Sequence, residues 1–312
     1  MLINPCDLNI APNNTGIDCS AAMKASAMIV MMPHGTRWTD SDITTATSFT
    51  KFLQGKVEAA PGQRWYPIFG NSAPINSITE SNESDVLETL DDGSQSFIRY
   101  GMYNRTFVTT KGGLSLAAHL MSFRGSQYDF IEVDIIDQVA VMQNSDGSYS
   151  GFPVNLAYAP ASEIANLKTT YKNRFMLSFS PKTYIQQGKI FASDATEDIL
   201  SVTGLLDSQV TKGIGTQTIT NILVGVSTKG SNTDLVALYP TEIALVSNFV
   251  VTSAAGAPIT PTAAAVVGGQ VQLTGTYTTG TDITVALAAA SVLATNGISG
   301  YDGVTAAIVP IP

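Results

Sequence analysis

Six carboxylates, Glu80, Glu83, Asp85, Glu88, Asp91 and Asp92, crowd the stretch ESNESDVLETLDDG before the first cation of the segment, Arg99. Carboxylates at this density can ligate a hard cation, act as general acid and base, or form a charged face that repels or matches a partner. On a helix Asp85 and Glu88 would share a face, as would Glu88 and Asp92. The flanking Ser, Asn and Thr give little helical signal, and a catalytic pair needs burial to separate its two pKa values. The run therefore reads as a solvated or intersubunit acidic loop rather than a site.

Other chemistry-bearing residues are sparse. The two histidines, His34 in MPHGTRW and His119 in a helical stretch, have no second ligand at three- or four-residue spacing. Cys6 and Cys19 are too few for a disulfide framework and have no companions for a zinc site, so they read as reduced thiols. No nucleophile elbow, phosphate loop or dinucleotide fingerprint occurs. NSDGSYSG lacks the ligand spacing of a calcium loop and reads as a hairpin turn, with Asp146-Gly147 supplying the positive-φ positions. No catalytic residue, metal ligand or cofactor is expected, and the chain is read as a non-enzyme.

Around these residues the chain reads as mainly β with short flanking helices. Residues 1–20 look like an extended arm. Ala27 to Met32 is a buried strand ended by Pro33. TDSDITTATSFTKFLQG is a capped helix with Ile43, Ala46, Phe49, Phe52 and Leu53 on one face and Gly55 at its end. Val57 to about Asp92 shows little regular signal beyond a short strand in RWYPIFG, and so long a loop in a compact domain is usually functional or intersubunit. SQSFIRYGMYNRTFVTT then gives one or two strands. GGLSLAAHLMSFRG is a helix with Leu114, Ala117, Leu120 and Met121 on one face. DFIEVDIIDQVAVMQ, FPVNLAYAP, FMLSFSPKTYI and TITNILVGVSTKG follow as strands, with short helices in ASEIANLKTTYKNR and SDATEDILSVTGLL. VALYPTEIALVSNFVVTSAAG reads as strand, turn and strand.

Val251 to Pro312 contain no Lys, Arg, Glu or His, and only Asp282 and Asp302 are charged. That shift sets the expected boundary: a main β domain over 21–253, with its long loop near 57–92, and a small Ig-like β-sandwich over 254–312.

Only 13% of the 312 residues are charged, against about 25% in ordinary globular chains. A surface so poor in charge suits a subunit covered by copies of itself. The net charge of −9 argues against gripping nucleic acid, but not against walls that nucleic acid slides past. The N-terminus lacks the pattern of a signal peptide, and no apolar run is long enough to span a bilayer.

The order of GIDCSAAMKASAMIVMMPHGTRWT, SDITTATSFTKFLQG, RWYPIFG, the acidic loop, LDDGSQSFIRYG, GGLSLAAHLMSFRG and DFIEVDIIDQVAVMQNSDGSYSGFPV resembles phage structural proteins of Bacteroidetes-type hosts. It is most similar to tail tube subunits, over roughly residues 15–250. The resemblance implies an antiparallel β-sandwich or barrel flanked by a helix, closing into hexameric rings that stack. A loop from about Val57 to Leu90 would reach the neighbouring ring, or its carboxylates would line an acidic lumen. The implied partners are other copies of the chain, other tail proteins, and phage DNA passing without specific binding, with no membrane. The implied location is the virion tail, assembled in the bacterial cytoplasm. The near-chargeless C-terminal region departs from the minimal tube pattern. It leaves open a capsid decoration protein, a head–tail connector or a surface-binding β module.

Overall fold

The structure, a computed structural model, describes residues 23–71, 73–125, 127–160, 170–192 and 197–312. The expected N-terminal arm, Cys6, Cys19, and parts of the helices expected in ASEIANLKTTYKNR and SDATEDILSVTGLL lie outside these residues. The chain is mainly β, 43% strand and 17% helix, in several antiparallel sheets. Among the described residues no sheet closes into a barrel, so the sandwich and not the barrel describes the chain.

Two compact units divide the chain. The first takes Met1–Val57 and Gly62–Thr203, the second Glu58–Pro61 and Gly204–Pro312. The boundary expected at 254 is thereby corrected. Val210, Val226, Phe249 and Val285 lie on both sides of position 254 and share one core. The loss of charge after Val251 marks a change of surface, not a change of core.

In chain order the first unit carries β1 (Ser26–Pro33), β2 (Arg37–Trp38), α1 (Asp40–Thr45), α2 (Phe49–Val57), β3 (Tyr66–Phe69), β4 (Ser77–Glu80), β5 (Val86–Thr89), β6 (Gln95–Arg99) and β7 (Tyr103–Thr109). Then follow α3 (Gly113–Ser122), β8 (Tyr128–Asp134), β9 (Gln138–Gln143), β10 (Tyr149–Ser150), β11 (Phe152–Tyr158), β12 (Asn173–Phe179), α4 (Pro181–Gln187) and β13 (Gly188–Ala192). β1 is the central strand: Met28 to Met32 are fully buried, and it pairs with β3 on one edge and β8 on the other. An all-apolar run of this kind fits a strand covered on both faces. The far edge of β8 forks, Glu132 and Val133 pairing with β9, Asp129 and Phe130 with β11. From β11 the sheet continues through β12 and β7 to the open-edged β4. Phe107, Phe130, Phe152, Phe175 and Phe179 fill the core beneath it.

Several helical expectations change in detail. The single helix expected over TDSDITTATSFTKFLQG is two, because Thr47 takes a left-handed backbone (φ 71°) between α1 and α2. The apolar period runs across this break and conceals it. Thr39 and Asp42 form a capping box at the start of α1. In α3 the inward residues are Leu116 and Leu120, with Phe123 just beyond. Leu114, Ala118 and Met121 point outward, so the face expected for Leu114 and Met121 is corrected. The turn expected at Asp146-Gly147 forms, but only Gly147 takes a positive φ (82°); Asp146 does not, and instead accepts from the Ser148 N–H and hydroxyl.

The second unit contains β14 (Leu206–Lys212), β15 (Asn221–Thr228), α5 (Leu235–Leu238), β16 (Phe249–Ser253), β17 (Pro258–Ile259), β18 (Ala263–Val267), β19 (Gln270–Thr274), β20 (Asp282–Leu287), α6 (Ala290–Thr295), β21 (Tyr301–Thr305) and β22 (Ala307–Pro310). One sheet runs β18-β19-β15-β14-β21 and the other β17-β16-β20-β22. Both contribute side chains to a common core, the arrangement of a sandwich. The β14–β21 pair is parallel, the others antiparallel. The strand expected in VALYPTE is the short helix α5, because Asp234 accepts from the N–H groups of Val236 and Ala237 and caps it. Tyr277 is buried and donates its hydroxyl to the Leu273 carbonyl, with Gly275 packed beneath the ring, in the manner of a tyrosine corner.

Candidate assembly interface

The acidic run lies on a ribbon that leaves the first unit. β4 and β7 pair from Ser77↔Val108 to Glu80↔Arg105 inside the sheet. The same two strands then continue outward. Ser81 N donates to Asn104 O and Glu83 N to Met102 O, both at 2.9 Å. β5 and β6 pair beyond this neck, from Val86↔Arg99 to Thr89↔Gln95, and Leu90 N donates to Ser94 O at the tip. The expected irregular loop over 57–92 is thus corrected: its first part holds the buried Trp65, Ile68 and Phe69 of the core, and only the ribbon departs. An exposed strand lacks the alternation that betrays a half-buried one, which is why β5 looked irregular, whereas β6 forms in SQSFIRYG as expected.

At the neck the two strands nearly touch. A side chain at Gly101 would collide with the backbone oxygens of Glu83 and Ser84, so this position admits only glycine. The Gly101 N–H donates to Asp85 Oδ1 at 2.9 Å.

The root is pinned by a buried ionic group. Arg105 Nη1 donates to both oxygens of Glu132 at 2.9 Å. Its Nε lies 3.1 Å from Glu80 Oε1, near enough for ion pairing though not aligned as a hydrogen bond. Ser26 Oγ and Tyr184 Oη also donate to Glu132, which is buried. Burial pushes the Glu132 carboxyl up, and Arg105 and the Tyr184 hydroxyl pull it back. Burial would lower the Arg105 guanidinium, but Glu132 and then Tyr184 and Glu80 outweigh it and hold it raised. Burial and the Glu132 charge push the Tyr184 phenol well above its ordinary value. A cleft of about 200 Å³ opens here among Glu80, Asn82, Tyr103, Arg105, Phe179 and Tyr184. Its cation is already matched by two carboxylates, so the cleft does not call for a charged ligand.

Each acidic residue now has a place. Glu80 pairs with Arg105 at the root. Glu83 lies 3.7 Å from Arg99, and Asp85 holds the neck. Asp92 closes the tip by accepting from Ser94, whose hydroxyl and then N–H hold its carboxyl below the usual range. Glu88 and Asp91 are exposed on the ribbon and tip. The six are therefore strung along the ribbon and do not converge. Among the described residues no group of three or more His, Cys, Asp or Glu could hold a metal ion.

The apolar content of the ribbon carries more weight than its charge. Leu87 and Phe97 sit opposite one another, 48% and 49% exposed. Ile98, bulged out of register beside them, is 55% exposed, and Leu90 and Tyr100 are also uncovered. The Phe97 and Tyr100 rings lie 4.6 Å apart. An isolated two-stranded ribbon is marginally stable in water, and side chains like these gain from being covered.

No family model, curated protein or solved structure matches the chain.

The remaining candidates are structural. His34 Nδ1 lies 2.7 Å from the buried Asp129, which also accepts from Gly35 N, so the pair fixes the turn after β1. His119 packs by its ring against Phe123 and Tyr66. Trp38 and Trp65 are buried edge-to-face, 5.0 Å apart, and belong to the core. Among the described residues no helix is long and apolar enough to cross a membrane. Sequence reasoning missed Arg105, Glu132 and Gly101. A signal existed for Glu132: a carboxylate in the apolar strand YDFIEVD calls for a buried partner.

Proposed function

We propose that the chain is a structural virion subunit that assembles with copies of itself into stacked rings, hexameric as the resemblance implies. Those rings form a phage tail tube through which DNA passes. One observation carries the reading: a ribbon rooted by a buried ion pair and a glycine-only neck, yet uncovered along Leu87, Leu90, Phe97, Ile98 and Tyr100. A segment anchored so firmly and finished with apolar side chains is built to meet another molecule. The open edge of β4 and the low charge density suit contact with further copies. The net charge of −9 suits passage of DNA without adhesion. Negative-stain microscopy of the purified protein tests the reading, with rings or tubes as the expected outcome.

A second reading, a decoration or surface-binding protein, draws on the second unit. Val250 and Ile308, 49% and 64% exposed, lie on the outward face of its four-stranded sheet on either side of β20. Replacing both with Ser leaves rings and tubes intact under the first reading. Under the second it removes attachment to the particle.

A further inference from the structure

We infer that the ribbon of one copy docks on helix α3 of a second copy, head to tail, an inference that rests on the self-assembly reading above. α3 is apolar on two sides. Leu116 and Leu120 enter the core, while Leu114 and Met121, 76% and 58% exposed, form an outward stripe with Ala118 at spacings of four and three residues. An uncovered apolar stripe beside the core face of a helix suits contact with another molecule. Exposed cations, Lys111 and Arg124, bracket this stripe at its two ends.

The ribbon offers the complement. Its uncovered apolar side chains are accompanied by Glu83, Asp85, Glu88, Asp91 and Asp92, with Arg99 as the only cation between Ser81 and Tyr100. The other exposed apolar pair on a turn of this unit, Ile135 and Ile136, sits between Asp134 and Asp137 and would repel an acidic partner. Charge therefore favours the helix over that turn.

Strand β7 joins the two features. The ribbon extends from its first residue, Tyr103, and α3 follows its last, Thr109. α3 then runs back across the sheet, since Gly125 just past its end bridges Ala157, which is level with Arg105 through Leu177. Donor and receptor are thus two unlike surfaces of one unit. A head-to-tail contact between unlike surfaces repeats from copy to copy.

Cross-linking tests the contact. In a Cys6→Ser, Cys19→Ser background, Phe97→Cys protein is mixed with Met121→Cys protein under assembling conditions and mildly oxidised. A 97–121 disulfide linking two chains is the expected result. Assembled particles without that cross-link overturn the docking and leave the tube reading in place. Wild-type protein that never assembles overturns the tube reading itself. A double Phe97→Cys, Met121→Cys chain that closes on itself at high dilution also overturns the docking, since the ribbon then serves its own helix. As a second measure, Lys111→Glu with Arg124→Glu should raise the concentration needed for assembly by about tenfold or more, the effect of like charges set face to face. Glu88→Lys with Asp91→Lys in the same chain should restore it. Failure of either step contradicts the assignment.

Discussion

Gly101 lies against the Glu83 carbonyl so closely that any side chain at position 101 would collide with it. The two strands of the ribbon can meet at the neck only through this glycine. Gly101→Val should splay the neck and leave the ribbon without a fixed direction. The body holds its own core, so its melting temperature should move by no more than a few degrees. Assembly should be lost. Hydrogen exchange checks the first point through rapid exchange over 81–102 with retained protection of β1 and β8. Sedimentation velocity checks the second.

Arg105 balances a buried carboxylate, and its removal should be felt through the whole first unit. Arg105→Ala leaves Glu132 buried with only hydroxyl donors, a loss of about 3 kcal/mol at neutral pH. The sign of the pH dependence follows from Glu132, whose folded-state pKa burial already raises. A carboxyl raised on folding contributes most favourably when protonated. The penalty in the variant is therefore small below the ordinary carboxylate range and grows as pH rises toward neutral. Urea titrations of wild type and variant at pH 4.5 and 7.5, both conditions being choices of about those values, should show the gap widening with pH.

Apolar positions on the ribbon should matter for assembly and not for folding. Phe97→Ser and Ile98→Ser should change monomer stability by only about 0.5 kcal/mol, as expected at exposed sites. Either should sharply reduce association. If instead the monomer unfolds, these residues serve the fold.

Tyr277 gives the second unit its own pH signature. Its buried phenol is pushed up to about 12. A phenol whose folded pKa is raised adds stability that is complete below its ordinary value near 10 and declines as pH climbs toward 12. Tyr277→Phe removes the hydrogen bond to Leu273 at a cost of about 1 kcal/mol and should abolish that alkaline dependence. Absorbance titration at alkaline pH, alongside thermal melts, checks both.

The sequence carried the β class well, because β1 is marked by a buried apolar run, β15 by apolar residues that alternate in burial, and the turn after β9 by Gly147. The domain boundary was not legible. Charge vanishes at Val251, whereas the core changes at Gly204, and a sequence displays surface composition more openly than shared packing. The break at Thr47 was hidden by an apolar period that continues through it. The acidic run and the second strand of its ribbon, in SQSFIRYG, were visible, but β5 and its pairing with β6 were not, since the residues of β5 largely face water. What fixes the ribbon, Gly101 against Glu83 and Arg105 between Glu80 and Glu132, depends on contacts between distant residues that spacing does not reveal.

The most direct test is negative-stain electron microscopy of purified wild-type protein beside Phe97→Ser protein at matched, high concentration. Stacked rings or tubes from the wild type, with isolated subunits from the variant, are the expected result. Isolated subunits from both would contradict self-assembly, and tubes from both would contradict assembly through the ribbon.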